Sequence, residues 1–208
     1  YKENSDFNYV SNPEFLREGS AVKDFLWPDR IIIGTSSLNA YETMCDIYRP
    51  LYINKNPIKR TSVETAEMIK YASNSFLALK ISYINEIANL CEQLDADVHD
   101  VAVAMGEDGR ISDKFLHPGP GFGGSCFPKD LQSLSYIAKE NNVKMSTINA
   151  AIEANIKQKY LMCCKLENLV SGGLKGKEIA VLGLAFKANT DDIRDSSSID
   201  MISFILSK

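Results

Sequence analysis

The chain has 208 residues, of which 45% are hydrophobic, 9% aromatic and 24% charged. These are the proportions of an ordinary folded protein of one or two domains, not of a disordered, collagenous or membrane chain. Lys and Arg total 23 against 27 Asp and Glu, a net charge of -4, so no overall positive field draws the molecule to nucleic acid or anionic lipid. No apolar run approaches the roughly 18 residues of a membrane span, and Tyr1-Lys2-Glu3-Asn4-Ser5-Asp6 lacks the basic-then-apolar order of a signal peptide. The expectation is a cytoplasmic protein with neither a nucleic-acid nor a membrane partner. Five scattered cysteines, no Cys-x-x-Cys and two histidines argue against a disulfide scaffold or a structural zinc, and no metal is expected. Cys163 and Cys164 fall within an apolar helical pattern, as buried small hydrophobes rather than a redox pair.

Both ends read as cut: residues 1–10 carry no start signal, and the apolar helical run at 201–206 meets no cap or breaker. The expectation is a piece of a longer protein. The first segment, to about Pro57, holds a strand candidate at Arg30-Ile31-Ile32-Ile33-Gly34 and a helical pattern from Leu38 to about Leu51. A triple Ile between Asp29 and Gly34 is the pattern of a buried strand, so this segment is expected to finish an α/β domain. Thr61 followed by Glu64 then suggests a capping box. From Ile69 the residues Ala72, Phe76, Leu79, Tyr83, Ile87, Leu90 and Leu94 follow at steps of three or four. A helix over 62–94 would run about 50 Å. Leu77, Ile81, Ile84 and Ala88 form a second apolar sector, so the helix is expected to pack on more than one side and to form a two-fold subunit interface. Helical patterns continue over 98–105, 128–140 and 146–170. Residues 177–183 then have the pattern of a strand, 189–192 of a loop and 196–206 of a helix, the opening of another α/β domain. The division expected is 1–57, 58–172 and 173–208.

Chemistry concentrates in Pro118-Gly119-Pro120-Gly121-Phe122-Gly123-Gly124-Ser125-Cys126-Phe127-Pro128-Lys129-Asp130. Four glycines let backbone approach a ligand closely, and Pro128 suits the first turn of a helix, where its missing N–H costs nothing. Cys126 would sit just ahead of that helix, where unpaired N–H groups favour a thiolate. Asp130 lies one turn on, able to orient a proton or a water. The alternative is a Gly/Pro loop with a merely buried cysteine. His117 could serve as the base of a cysteine hydrolase, although Pro118 and the glycines leave its placement unreadable. Lys70 and Asn74, one helical turn apart, are either a solvated polar face or an oxyanion and hydroxyl pair. Glu14 and Glu18 flank an apolar pair, either in a surface acidic turn or in an active-site loop.

Four blocks carry a resemblance: Asn12-Pro13-Glu14-Phe15-Leu16-Arg17-Glu18-Gly19; Ala66-Glu67-Met68-Ile69-Lys70-Tyr71-Ala72-Ser73-Asn74; Gly121 to Asp130; and Gly183-Leu184-Ala185-Phe186-Lys187 with Arg194-Asp195-Ser196-Ser197. In this order they resemble the nucleotide-sugar 6-dehydrogenases. The resemblance implies a mainly α central domain with a long spine helix, flanked by pieces of two α/β Rossmann-like domains. The first piece would end an NAD-binding domain, the middle would be a helical dimerisation domain with the cysteine loop, and the last would begin a UDP-binding domain. It further implies oxidation of a sugar C6 alcohol to a carboxylate in two hydride transfers to NAD, with UDP-glucose as the substrate and UDP-glucuronate as the product. GDP-mannose and UDP-N-acetylmannosamine are the alternative sugars.

By the same resemblance Cys126 is the nucleophile that holds a thiohemiacetal and then a thioester. Lys70 stabilises the oxyanion beside Asn74, Asp130 activates water or shuttles a proton, and Glu18 does acid/base work. Glu14, Phe15, Leu16, Phe115, Phe122, Gly123 and Phe186 line the substrate, Lys187 lies near the diphosphate, Arg110 reaches a neighbouring subunit's substrate, and Arg194 touches the cofactor. The family's Gly-x-Gly-x-x-Gly loop for NAD is expected to be absent, since Gly183-Leu184-Ala185-Phe186-Lys187 lacks the later glycines. The chain alone is therefore expected to be inactive, which leaves a non-catalytic dimerisation and substrate-loop module as the competing reading. A third, a cysteine hydrolase or acyltransferase, would need His117 paired with Cys126.

Overall fold

A computed structural model describes residues 7–54 and 58–208. The segment 1–6 and Pro57, used above as a start and a boundary, lie outside the described residues. The chain forms two compact units that divide between Ser73 and Asn74.

The first unit is built on β1, Ile31–Gly34, all four residues buried. It pairs in parallel with β2, Ile58–Thr61, in the register Ile31 to Ile58 through Gly34 to Thr61. Between them runs α2, Leu38–Tyr48, whose Ser37 Oγ accepts the Ala40 N–H at 3.2 Å. The helix stops three residues short of the expected Leu51, and the chain tightens into a 3-10 helix over Arg49–Asn54. Pro50 explains the stop, because it has no N–H to continue the α pattern. Two short elements escaped the sequence reading: α1, Ala21–Leu26, and β2, whose four residues include Lys59 and Arg60 and show no apolar alternation.

The long helix α3 spans Val63–Leu94, 32 residues. Its start is capped by Ser62 rather than the expected Thr61, which is the last residue of β2. Ser62 Oγ accepts the Thr65 N–H at 3.2 Å.

In the second unit α4 covers Val98–Glu107, α5 Cys126–Glu140, α6 Ser146–Leu169 and α7 Ser197–Leu206. The part of α3 in this unit buries Ser75, Ala78, Ser82, Ile84, Asn85 and Cys91. Ser82, on α3, donates to the Ala151 carbonyl of α6 at 3.0 Å. The stripe through Phe76, Tyr83 and Leu90 is exposed, at 60%, 48% and 54%, so of the two apolar sectors in the sequence it is the second, through Ile84, that reaches the core. Cys163 is buried, and burial pushes its thiol pKa up, whereas Cys164 is half-buried.

The expected strand at 177–183 does not form: among the described residues the only sheet is β1–β2, and the segment has no strand to pair with. No helix of the described residues is long and apolar enough to cross a membrane.

Candidate active site

In the first unit the loop 12–16 is fastened to β1. Ser11 and Gly34 exchange both backbone hydrogen bonds, at 2.9 and 2.7 Å, and Asn12 Nδ2 donates to the Ile32 carbonyl at 2.7 Å. The Tyr48 hydroxyl donates to Asn12 Oδ1 at 2.5 Å, and burial pushes its pKa up. On this base Glu14 points at α3. Lys70 Nζ donates to Glu14 Oε1 at 2.8 Å and to the Glu14 carbonyl at 2.5 Å, while Glu14 Oε2 accepts the Leu16 N–H at 2.7 Å. The Phe15 ring lies under the Arg30 guanidinium at 4.0 Å, with Lys70 Nζ 5.7 Å from its centroid. Glu18 sits in the turn 18–20 that leads into α1. Arg17 grips Asp24 through one guanidinium edge, Nη2 and Nε donating at 2.6 and 2.9 Å, and holds that carboxyl well below the usual carboxylate range.

In the second unit Cys126 is the first residue of α5, two residues earlier than the helix start expected from Pro128. Proline still fits there, because the first four N–H groups of a helix have no internal partner. The thiol is half-buried, with Ser125 Oγ at 3.7 Å, at the end of the helix where the dipole favours negative charge. One turn on, Asp130 is 2% exposed and accepts Asn74 Nδ2 at 2.6 Å. Lys129 Nζ is 3.6 Å from its other oxygen. Lys70 and Asn74 are thus each bonded to a carboxylate residue.

Aromatic side chains frame the cysteine loop. Phe127 meets Phe122 edge-on at 6.0 Å and Phe115 at 6.1 Å. Gly123 and Gly124 are pressed against the later segment: a Cβ at Gly123 would lie 2.2 Å from the Asp195 carbonyl oxygen, and one at Gly124 would meet the Phe186 ring at 2.7 Å. The Gly124 N–H donates to the Arg194 carbonyl at 2.8 Å, and Phe186 N–H to the Asp192 carbonyl at 3.0 Å. Arg194 itself grips Asp192 at 2.8 Å. Lys187 Nζ lies 5.4 Å over the Phe186 ring. Arg110 stands apart on an exposed turn after α4, paired with Asp108 at 2.5 Å. The second unit therefore gathers Cys126, Asn74, Asp130, Phe115, Phe122, Gly123, Phe186 and Arg194, and the first gathers Glu14, Phe15, Leu16 and Lys70.

The Gly-x-Gly-x-x-Gly spacing does occur, at Gly119, Gly121 and Gly124, which corrects the expectation that the chain lacks it. No strand precedes it, and two of its three glycines are spent on close contact with the chain's own residues, Asn155 and Phe186. It is not a dinucleotide turn. In the first unit the turn from β1 to α2 is Thr35-Ser36-Ser37, and its neighbour Gly34 packs against Ala66, where a Cβ would approach to 2.5 Å. Among the described residues none builds a cradle for dinucleotide phosphates. Sequence reasoning also missed Asn85, Asn155 and Gln158, three polar residues in otherwise apolar helical frames, and that misplacement was the available signal.

Three domains of one family match the chain in order. The NAD binding domain of the UDP-glucose/GDP-mannose dehydrogenase family matches residues 1–52, its central domain 64–157 and its UDP binding domain 180–208. The chain belongs to this family of oxidoreductases, whose cofactor is NAD. It is 50% identical over 200 residues, 95% of the chain and 46% of the relative, to UDP-glucose 6-dehydrogenase of Rhizobium meliloti. It is also 50% identical to UDP-glucose 6-dehydrogenase TuaD of Bacillus subtilis, over 94% of the chain and 42% of the relative. A UDP-glucose dehydrogenase structure from the archaeon Pyrobaculum islandicum superposes with a TM-score of 0.92 at 40% identity, over 98% of this chain and 46% of that one. The chain spans about half the length of the curated relatives it matches.

Proposed function

We propose that the whole protein containing this chain oxidises the C6 alcohol of UDP-glucose to the carboxylate of UDP-glucuronate, with NAD as the oxidant. The observation that carries this reading is Cys126 at the first turn of α5, one turn before an Asp130 that is buried and hydrogen-bonded to Asn74. A carboxylate so placed can hold a water or a proton beside a sulfur. Addition of the Cys126 thiolate to an aldehyde carbonyl forms a C–S bond and places negative charge on the former carbonyl oxygen, which the Lys70 ammonium would stabilise. Hydrolysis of the later thioester adds water to its carbonyl carbon and breaks the C–S bond, returning the thiol and leaving the acid. Asp130 and Glu18 are assigned the proton transfers of that stage. Glu14, Phe15, Leu16, Phe115, Phe122, Gly123, Phe186 and Lys187 are assigned to the substrate, Arg110 to a neighbouring subunit's substrate and Arg194 to the cofactor. The domain division proposed is 1–57, 58–172 and 173–208.

The preference for UDP-glucose over GDP-mannose or UDP-N-acetylmannosamine rests on relatives about 50% identical that are named for that sugar. The test is Cys126→Ala in the full-length protein, assayed with NAD and each of the three sugars. Acid formation should vanish while UDP-glucose binding stays within a few-fold of wild type, and retained acid production would remove the cysteine from the mechanism.

We also propose that α3 joins two copies of the protein. Phe76, Tyr83 and Leu90 recur every seven residues and are exposed, the spacing that keeps one apolar seam facing a partner helix. The protein would act in the cytoplasm.

A further inference from the structure

The backbone of the cysteine loop has no regular secondary structure over 119–124, yet Phe122, Gly123 and Gly124 are buried. Buried main-chain N–H and C=O groups need partners, and here side-chain amides on two helices provide them. Asn155, on α6 and itself buried, accepts the Phe122 N–H on Oδ1 at 2.7 Å and donates from Nδ2 to the Phe122 carbonyl at 3.0 Å. This two-point contact imitates a neighbouring strand. At the other end Asn85 Oδ1, from α3, accepts the Gly119 N–H at 2.7 Å, and Gln158 Nε2, from α6, donates to the Gly119 carbonyl at 2.9 Å.

The orientation of Gln158 is fixed in turn, because its Oε1 accepts Asn89 Nδ2 at 2.8 Å. Asn89 Oδ1 faces Lys165 Nζ at 3.5 Å, and that ammonium pairs with Glu92. Gly121 makes room for the arrangement: its φ is +110°, and a Cβ there would lie 2.9 Å from Asn155 Oδ1. Asn85 is 1% exposed, and its Nδ2 has no partner among the described residues. Burying an amide with an unpaired N–H is costly, so its retention is better explained by what its oxygen holds than by packing.

We infer that Asn85, Asn155 and Gln158 are positioning residues that set the backbone of residues 119–122 and through it the placement of Cys126. They touch neither substrate nor cofactor in this reading. Three residues separate Phe122 from Cys126, and the Gly124 N–H is tied to the Arg194 carbonyl on the way, so a shift at Phe122 is passed to the thiol through chain already held at its middle. The catalytic part of the inference rests on the nucleophile role proposed above for Cys126. The structural part does not.

The test uses the full-length protein with Asn155→Ala, with Gln158→Ala as a milder variant that removes one bond to the loop. Ser135→Ala, which removes a different α5–α6 bond, from Ser135 Oγ to Asn149 at 2.8 Å, serves as the control. Two readouts require no substrate: backbone amide exchange of peptides covering 119–125, and the pH profile of Cys126 alkylation by iodoacetamide followed by peptide mass. The third is kcat and KM with UDP-glucose and NAD.

In Asn155→Ala exchange of 119–125 should rise at least ten-fold while α5 and α6 exchange as in wild type. The alkylation profile should move along the pH axis, and kcat should fall at least ten-fold with KM changed less. Gln158→Ala should show the same changes at smaller size, and Ser135→Ala none of them. If Asn155→Ala fails to fold, Gln158→Ala decides alone. Loop exchange and alkylation within two-fold of wild type in a folded Gln158→Ala would overturn the inference, as would changes that appear only in step with loss of the whole fold. A wild-type protein inactive on every nucleotide sugar would instead remove the dehydrogenase reading, while the two substrate-free readouts would still decide the clamp.

Discussion

Two stretches of the second unit lack regular structure, and they are opposites. Residues 119–124 have the composition of a loop and are held at both ends by buried amides and at Gly124 by the Arg194 carbonyl. Residues 177–183 have the composition of a strand and remain open, with Leu182 at 95% exposure. Apolar, β-branched sequence did not make a strand, and glycine-rich sequence made a loop whose backbone is hydrogen-bonded to side chains. What separates them is whether partners exist for the backbone polar groups within the chain. A strand is a relation between two segments, and only one of the two is present among the described residues.

The largest expected effect concerns what the open stretch stands for. A chain whose second α/β piece forms no sheet and whose first builds no phosphate cradle should not reduce NAD in the presence of UDP-glucose. Holding two reactants in contact contributes on the order of 7–11 kcal/mol to such a reaction. Incubating the purified chain with both compounds and following absorbance of the reduced cofactor checks this. A rate comparable with that of a full-length family member would mean that the nicotinamide is held by a route other than a glycine cradle.

Next comes the clamped stretch itself. Gly123→Ala places a methyl 2.2 Å from the Asp195 carbonyl oxygen, a backbone atom that cannot swing aside, and should cost about 1–3 kcal/mol or more in stability. Urea unfolding of the chain measures it, and an unchanged midpoint would show that the 123–195 contact is not maintained in solution.

The exposed stripe of α3 extends the comparison from backbone to side chains, since it too presents apolar groups that the described residues leave exposed. Phe76→Asp or Tyr83→Asp should lower the sedimentation mass from dimer to monomer without loss of helicity. If neither change alters the mass, the interface lies elsewhere. The smallest effect is expected at the open stretch: Leu182→Asp should leave the stability of this chain within about 0.5 kcal/mol. In the full-length protein the same change should lower the melting temperature by several degrees, if downstream strands cover the segment.

The sequence by itself determined the longer helices, while the six-residue α1 escaped it. Periodicity and capping residues are local, and the ends of α3, α6 and α7 fell within one or two residues of the pattern because 3.6-residue repeats act over one or two turns, with Ser62 and Ser196 capping α3 and α7. It also located the buried triple Ile of β1 and the cysteine loop. Tertiary structure alone decided the rest. Β-pairing brought the four residues of β2, two of them charged, against β1. Close packing decided that Ser75, Ala78 and Ser82 rather than Phe76, Tyr83 and Leu90 face inward. The bonds from Lys70 to Glu14 and from Asn74 to Asp130 each span 56 positions, so no local pattern could separate them from a solvated face. The same holds for Asn85, Asn155 and Gln158: their helical frames are legible, but the backbone they hold is 33 to 39 residues away, and only the fold brings it within hydrogen-bond reach.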